Sequence, residues 1–183
     1  MRERMLAGDL YVADDPELAQ DSARARALAQ RFNTMDPNDS AGCRSVLIEL
    51  LGALGEGSEI RPPFWCDYGY QTTVGARTFI NFGLVSLDVA SVTIGDDVQI
   101  GPNVQLLTPT HPVEARPRRD KWETALPIVI GNNAWLGGGV IVGPGVTIGE
   151  NTVLGAGSIV IRDLPANVVA VGNPARVIRT LEP

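Results

Sequence analysis

The sequence predicts a mainly β chain wound as a parallel β-helix, and three observations carry that reading. An aliphatic residue recurs every six positions, at Ile94, Ile100 and Leu106 and again at Ile130, Leu136, Val142, Ile148, Leu154 and Val160. The next position is glycine in seven of those nine cases: Gly95, Gly101, Gly131, Gly137, Gly143, Gly149 and Gly155. Four places after the aliphatic stands a small or β-branched residue, as at Val98, Val104, Ala134, Val140, Val146, Thr152 and Ser158. A period of six fits neither a helix face nor a simple alternating strand. It fits short strands joined by tight corners, with the aliphatic filling the interior and glycine where a side chain would obstruct. Each coil buries its inner face against its neighbours, so several are needed for stability. The alternative, a glycine-rich β-sandwich, would show looser strand spacing.

The totals suit that architecture. The chain has 183 residues, 44% hydrophobic but only 5% aromatic, which matches a narrow interior of Val, Ile and Leu. A net charge of -6 argues against general nucleic-acid binding, which needs a basic face. Cys43 and Cys66 have no metal-type spacing, and nothing asks for a disulfide. The segment Met1 to Leu6 lacks the apolar core of a signal peptide, and no apolar run is long enough to span a membrane. The expected setting is the cytoplasm, without a membrane partner.

Three regions follow along the chain: a helical segment over 1–57, the coil over 58–165 with an extended loop at 112–129, and a tail over 166–183. Asp15-Pro16 reads as an N-cap followed by proline in the first turn. Leu18, Ser22, Ala25, Leu28, Ala29 and Phe32 then share one helical face. Asp36-Pro37 marks a turn, and a second helix is expected from Ala41 to Leu51 with Val46, Leu47, Leu50 and Leu51 inward. From Ile60 the six-count starts imperfectly. Cys66 to Val74 and Ser86 to Ile94 each carry an offset of two residues, read as small bulges at corners. Between His111 and Ile130 the repeat breaks. Pro112, Pro117 and Pro127 with Arg116, Arg118, Arg119 and Lys121 argue against a buried strand there. A loop thrown out of a regular scaffold is where function tends to sit.

His111, the single histidine, lies where that loop leaves the coil. Imidazole is half-protonated near neutral pH and is the natural general base for a hydroxyl or amine nucleophile; a surface histidine at a loop root is the plain alternative. One histidine cannot supply a three-imidazole zinc site. No Gly-x-Ser-x-Gly elbow occurs, and the glycines of 131–145 sit at repeat corners rather than in a dinucleotide fingerprint. Trp135, last in its hexad, is expected to be partly exposed.

Four stretches resemble the maltose/galactoside O-acetyltransferase family of hexapeptide acyltransferases. They are Thr110-His111-Pro112, the run from Pro127 to Gly137, Gly172-Asn173-Pro174-Ala175-Arg176, and the N-terminal Met5-Leu6-Ala7-Gly8 with Tyr11. Cys66-Asp67-Tyr68-Gly69 looks like the maltose branch. The likeness implies a left-handed coil, which the periodicity does not show, and a homotrimer with active sites between subunits. It implies direct transfer of acetyl from acetyl-CoA to a sugar hydroxyl, with no metal and no acyl-enzyme. His111 matches the general base and Asn81 the position that supports the transition state. Asp67 and Asp88 match or neighbour acceptor-contacting positions. Glu123 is a weaker candidate to orient His111 or the sugar. Gly138 would offer a backbone N–H to the thioester oxyanion. Trp135, Ala156, Ile161 and Arg162 fall where the family lays the CoA arm, and Arg176 and Arg179 near its phosphates. Two departures bear on specificity. Ala13 stands where some members carry a sugar-contacting aspartate, and Ile161-Arg162 where some place a hydroxyl residue and lysine. A serine or antibiotic acceptor, or a non-catalytic scaffold, are the competing readings.

Overall fold

Helix formation at the N-terminal end follows its caps. The computed structural model describes residues 1–182. Asp15 takes an extended conformation and accepts hydrogen bonds from the N–H groups of Glu17 and Leu18. Helix α1 spans Arg2–Leu6, α2 spans Pro16–Thr34 and α3 spans Ser40–Leu50. The five-residue α1 was not foreseen; one turn is too short to display a period. Helix α2 buries Leu18, Ala25, Leu28, Ala29 and Phe32, and α3 buries Val46, Leu47 and Leu50.

The two long helices close the open end of the coil. Asn33 donates from its side-chain amide to Phe64 O and accepts from Phe64 N–H, which satisfies the edge of strand Phe64–Cys66. Arg44 donates to the carbonyls of Leu54, Gly55 and Ser58. Among the described residues, no helix is long and apolar enough to cross a membrane.

Three parallel sheets then wind through about six turns. Their inward residues stack in register. The first face carries Leu54, Val74, Ile94, Ile130 and Ile148. The second carries Ile60, Ile80, Ile100, Leu136, Leu154 and Ala170. The third carries Cys66, Ser86, Leu106, Val142 and Val160. Val98, Val104, Ala134, Val140, Val146, Thr152 and Ser158 fill the space behind the corners and are buried. This parallel stacking disposes of the sandwich alternative.

The repeat's glycines answer to close approach more than to unusual backbone angles. A Cβ at Gly149 would lie 2.3 Å from the Ala166 nitrogen of the next coil, and one at Gly131 2.5 Å from that of Glu150. The left-handed backbone falls two residues later, at Asp97, Asn103, Asn133 and Asn151, and again at Asn167, two residues after Pro165. Asparagine tolerates that region, and here it also stacks: Asn133 donates to Asn151, and Asn151 to Asn167, each at 2.8 Å.

All departures from the six-count fall on one edge, where the third face turns into the first. The residues between Cys66 and Val74, between Ser86 and Ile94, and between Leu106 and Ile130 lie one above another there. The coil also exceeds the span read from the sequence. Strand Ala53–Leu54 begins it, and Val168–Gly172 extends it before folding back on Ala175–Thr180. The expected tail is therefore a β-hairpin, with Ala170 fully buried in the second ladder.

Candidate active site

The long insertion at the irregular edge folds into an arm. Pro109–Thr110 pairs antiparallel with Trp122–Ala125, which pairs with Tyr11–Val12 of the N-terminal segment. A short helix, α4 (Ala115–Arg119), caps the arm. Trp122–Ala125 is a partly exposed strand that buries Ala125 alone, and Pro127 lies between strands, before Ile128–Ile130 rejoins the coil. Met5 and Tyr11 pack with Leu18, Tyr68, Val89 and Ala125, so the N-terminal segment straps the arm to the coil edge. Thr124 donates to Gly8 O at 3.0 Å, Lys121 pairs with Asp14, and the Arg4 guanidinium sits 5.7 Å from the Trp122 ring centre.

His111 stands at the root of the arm with its side chain 54% exposed. Its Nε2 is 3.7 Å from Glu123 Oε2, and the Glu123 side chain is only 14% exposed. The other carboxylate oxygen of Glu123 accepts from the Tyr11 hydroxyl. Arg118 donates to the carbonyls of Pro112 and Val113 and so fixes the chain after His111. At that distance the two groups are within ion-pair range but not hydrogen-bonded.

Asp67 faces the same edge. Burial first, then the nearby charges of Asp88 and Glu123, push its carboxyl up to about 6. Asp88 does not sit as the sequence suggests. It is fully buried, with Oδ1 accepting from the N–H groups of Asp67 and Tyr68 and Oδ2 from the Thr72 hydroxyl. Burial pushes Asp88 up as well, against those donors. Its carboxylate is spent on building the corner. Burial also pushes the Cys66 thiol up, away from a reactive thiolate.

The remaining predicted residues lie elsewhere on the prism. Asn81, Gly138 and Ala156 share the edge where the second face turns into the third; Gly138 packs on Pro102 and Gly101. Asn81 Oδ1 accepts from Phe82 N–H. Trp135, 55% exposed, belongs to the outward row of the second face, in register with Gln99 and Val153. That row continues through Val169 to Arg179 of the terminal hairpin. Arg176, Ile161 and Arg162 line a cleft of about 260 Å³ at the C-terminal end. A larger cavity of about 780 Å³ lies under α3, lined by Phe32, Leu47, Ile60, Arg61 and Phe82, and not beside His111. One chain thus gathers His111, Glu123 and Asp67 on one edge and Asn81 and Gly138 on another. The contact of Tyr11 with Glu123 had no signal in the sequence, being formed across 112 residues.

Comparison with known proteins agrees with this architecture. A family model described as the maltose acetyltransferase hexapeptide capping motif matches residues 4–55, and one for bacterial transferase hexapeptides (six repeats) matches residues 127–162. Nodulation protein L of Rhizobium leguminosarum bv. viciae is 48% identical over 176 residues, covering 96% of this chain and 93% of that protein. The crystal structure of a maltose O-acetyltransferase from Clostridium difficile 630 superposes with a TM-score of 0.98 at 42% identity, covering 100% of this chain and 97% of that one. A galactoside acetyltransferase in complex with coenzyme A gives 0.95 at 41% identity, with 100% and 91% covered. With identities of this size over nearly the whole length, the chain belongs to the maltose/galactoside O-acetyltransferase family of hexapeptide-repeat acyltransferases.

Proposed function

We propose that this acetyltransferase moves the acetyl group of acetyl-CoA to a hydroxyl of a glucosyl or galactosyl acceptor, with His111 as general base. The observation that carries the reading is the exposed His111 ring beside the sheltered Glu123 carboxylate, at the root of the arm. The acceptor oxygen attacks the thioester carbonyl while His111 takes its proton. The tetrahedral intermediate collapses, the C–S bond breaks, and the proton passes from His111 to the departing thiolate. No acyl-enzyme forms. Asp67 contacts the acceptor, and Glu123 orients His111.

The split of the site over two edges supports a homotrimer with each site between two copies. His111 of one copy meets Asn81, Gly138 and Trp135 of the next. The outward row of the third face supports the same assembly. Trp65, Val85, Gln105, Ile141 and Ile159 run in register, apolar save one glutamine, and each keeps some exposure. The CoA arm then lies along Trp135, Ala156, Ile161 and Arg162, and its phosphates meet Arg176 and Arg179. Guanidinium groups suit phosphate geometry, and they are a local exception on an acidic chain. Acetyl-CoA is the co-substrate, and no metal enters the scheme.

The test is an acceptor screen with acetyl-CoA, following free thiol release across glucose, maltose, galactosides, serine and chloramphenicol. The reading expects turnover with one of the sugars. Turnover confined to serine or chloramphenicol would overturn the sugar assignment.

A further inference from the structure

The N-terminal strap does more than cover the arm. Tyr11 is fully buried, yet its hydroxyl reaches the Glu123 carboxylate that faces His111. Its ring is held among Met5, Leu18, Tyr68, Val89 and Ala125, and its backbone is in register with Glu123 itself. The strand pairing and the ring packing therefore fix where the hydroxyl points. Glutamate has a long, mobile side chain, and ordering it near a half-exposed imidazole needs an anchor. Burial and the adjacent carboxylate push the Tyr11 phenol far up, so the hydroxyl keeps its proton and donates.

We propose that Tyr11 is a positioning residue: its hydroxyl clamps one oxygen of Glu123 so that the other stays at His111. The claim rests on the reading of His111 as the base, but its test does not need turnover. The groups facing this site are few. From the arm come Glu123 and Arg118, which is tied to the carbonyls of Pro112 and Val113. From the strap come Tyr11 and Asp14, which pairs with Lys121 of the arm. From the coil corner come Tyr68, Asp67 and, behind it, Asp88. Among them, Glu123 is the carboxylate within ion-pair range of the imidazole.

Because His111 is the single histidine, its ring protons give unambiguous nuclear magnetic resonance signals in the full-length protein without ligands. At one fixed pH, Glu123→Gln moves those signals, because the carboxylate 3.7 Å from Nε2 is lost. Tyr11→Phe keeps the ring and its packing and deletes only the donor. It moves the His111 signals in the same direction, at least about half as far. The double variant matches Glu123→Gln alone, since Tyr11 acts only through Glu123. In turnover, Tyr11→Phe lowers kcat and leaves the KM for acetyl-CoA unchanged. His111 ring signals unmoved by Tyr11→Phe, or effects that add in the double variant, would overturn the clamp. Failure of the base assignment looks different: His111→Ala would retain turnover while the spectra of the three variants still showed the coupling.

Discussion

Replacing Asp67 with asparagine stabilises the protein at neutral pH and changes little in acid. The native Asp67 carboxyl is pushed from 3.8 to about 6, with burial the first cause and the Asp88 and Glu123 charges behind it. A raised carboxyl holds its proton in the native state after the unfolded chain has released it. Stability therefore falls as pH rises from about 4 through about 6, and above that the full cost is present. A shift of about two units at 1.36 kcal/mol each sets an upper limit of about 3 kcal/mol. Asparagine cannot ionise and escapes that cost. Urea unfolding of both proteins at equal chain concentration, at pH 4 and pH 7.5, reads the difference directly. The expected gain for Asp67→Asn is about 1–3 kcal/mol at pH 7.5 and under about 0.5 kcal/mol at pH 4. Equal effects at both pH values, or a loss at pH 7.5, would refute the claim that burial and two neighbouring carboxylates disfavour this charge. The same variant weakens acceptor use, the usual exchange of function for stability at a site.

Two further perturbations probe the coil and the proposed CoA groove. Gly149→Ala destabilises by about 1–3 kcal/mol in urea unfolding, because the new Cβ meets backbone at 2.3 Å. An open site with ordinary φ would gain slightly from the same change. Arg176→Ala with Arg179→Ala weakens CoA binding more than dephospho-CoA binding in calorimetry, and equal losses would show that these arginines do not read the ribose phosphate.

The coil was legible because its period lies entirely in local sequence. Each inward aliphatic from Ile94 to Val160 occupies the ladder that the six-count assigns to it. The offsets at Cys66–Val74 and Ser86–Ile94 were legible as irregularities, but not as a single edge. That conclusion needs the register of strands about twenty residues apart. Handedness comes with the family and not with the repeat. The helix start at Asp15-Pro16 was visible because capping is local chemistry, whereas α1 was not, being one turn held by Met5 against a distant cluster. For the candidate site, His111 was singled out by its position at the break in the repeat. The burial of Asp88 was not legible, because its partners at Tyr68 and Thr72 lie 20 and 16 residues away. The Tyr11 hydroxyl was invisible for the same reason at greater distance. Contacts between the strap and the arm are set by packing, which a linear pattern does not record.

The measurement that bears most directly on the account is the rate of acetyl transfer by His111→Ala, taken with the acceptor that supports turnover and with acetyl-CoA binding followed in parallel. Loss of a general base predicts a fall of more than about 100-fold with acetyl-CoA binding intact. Turnover within a few-fold of the unaltered protein would contradict it.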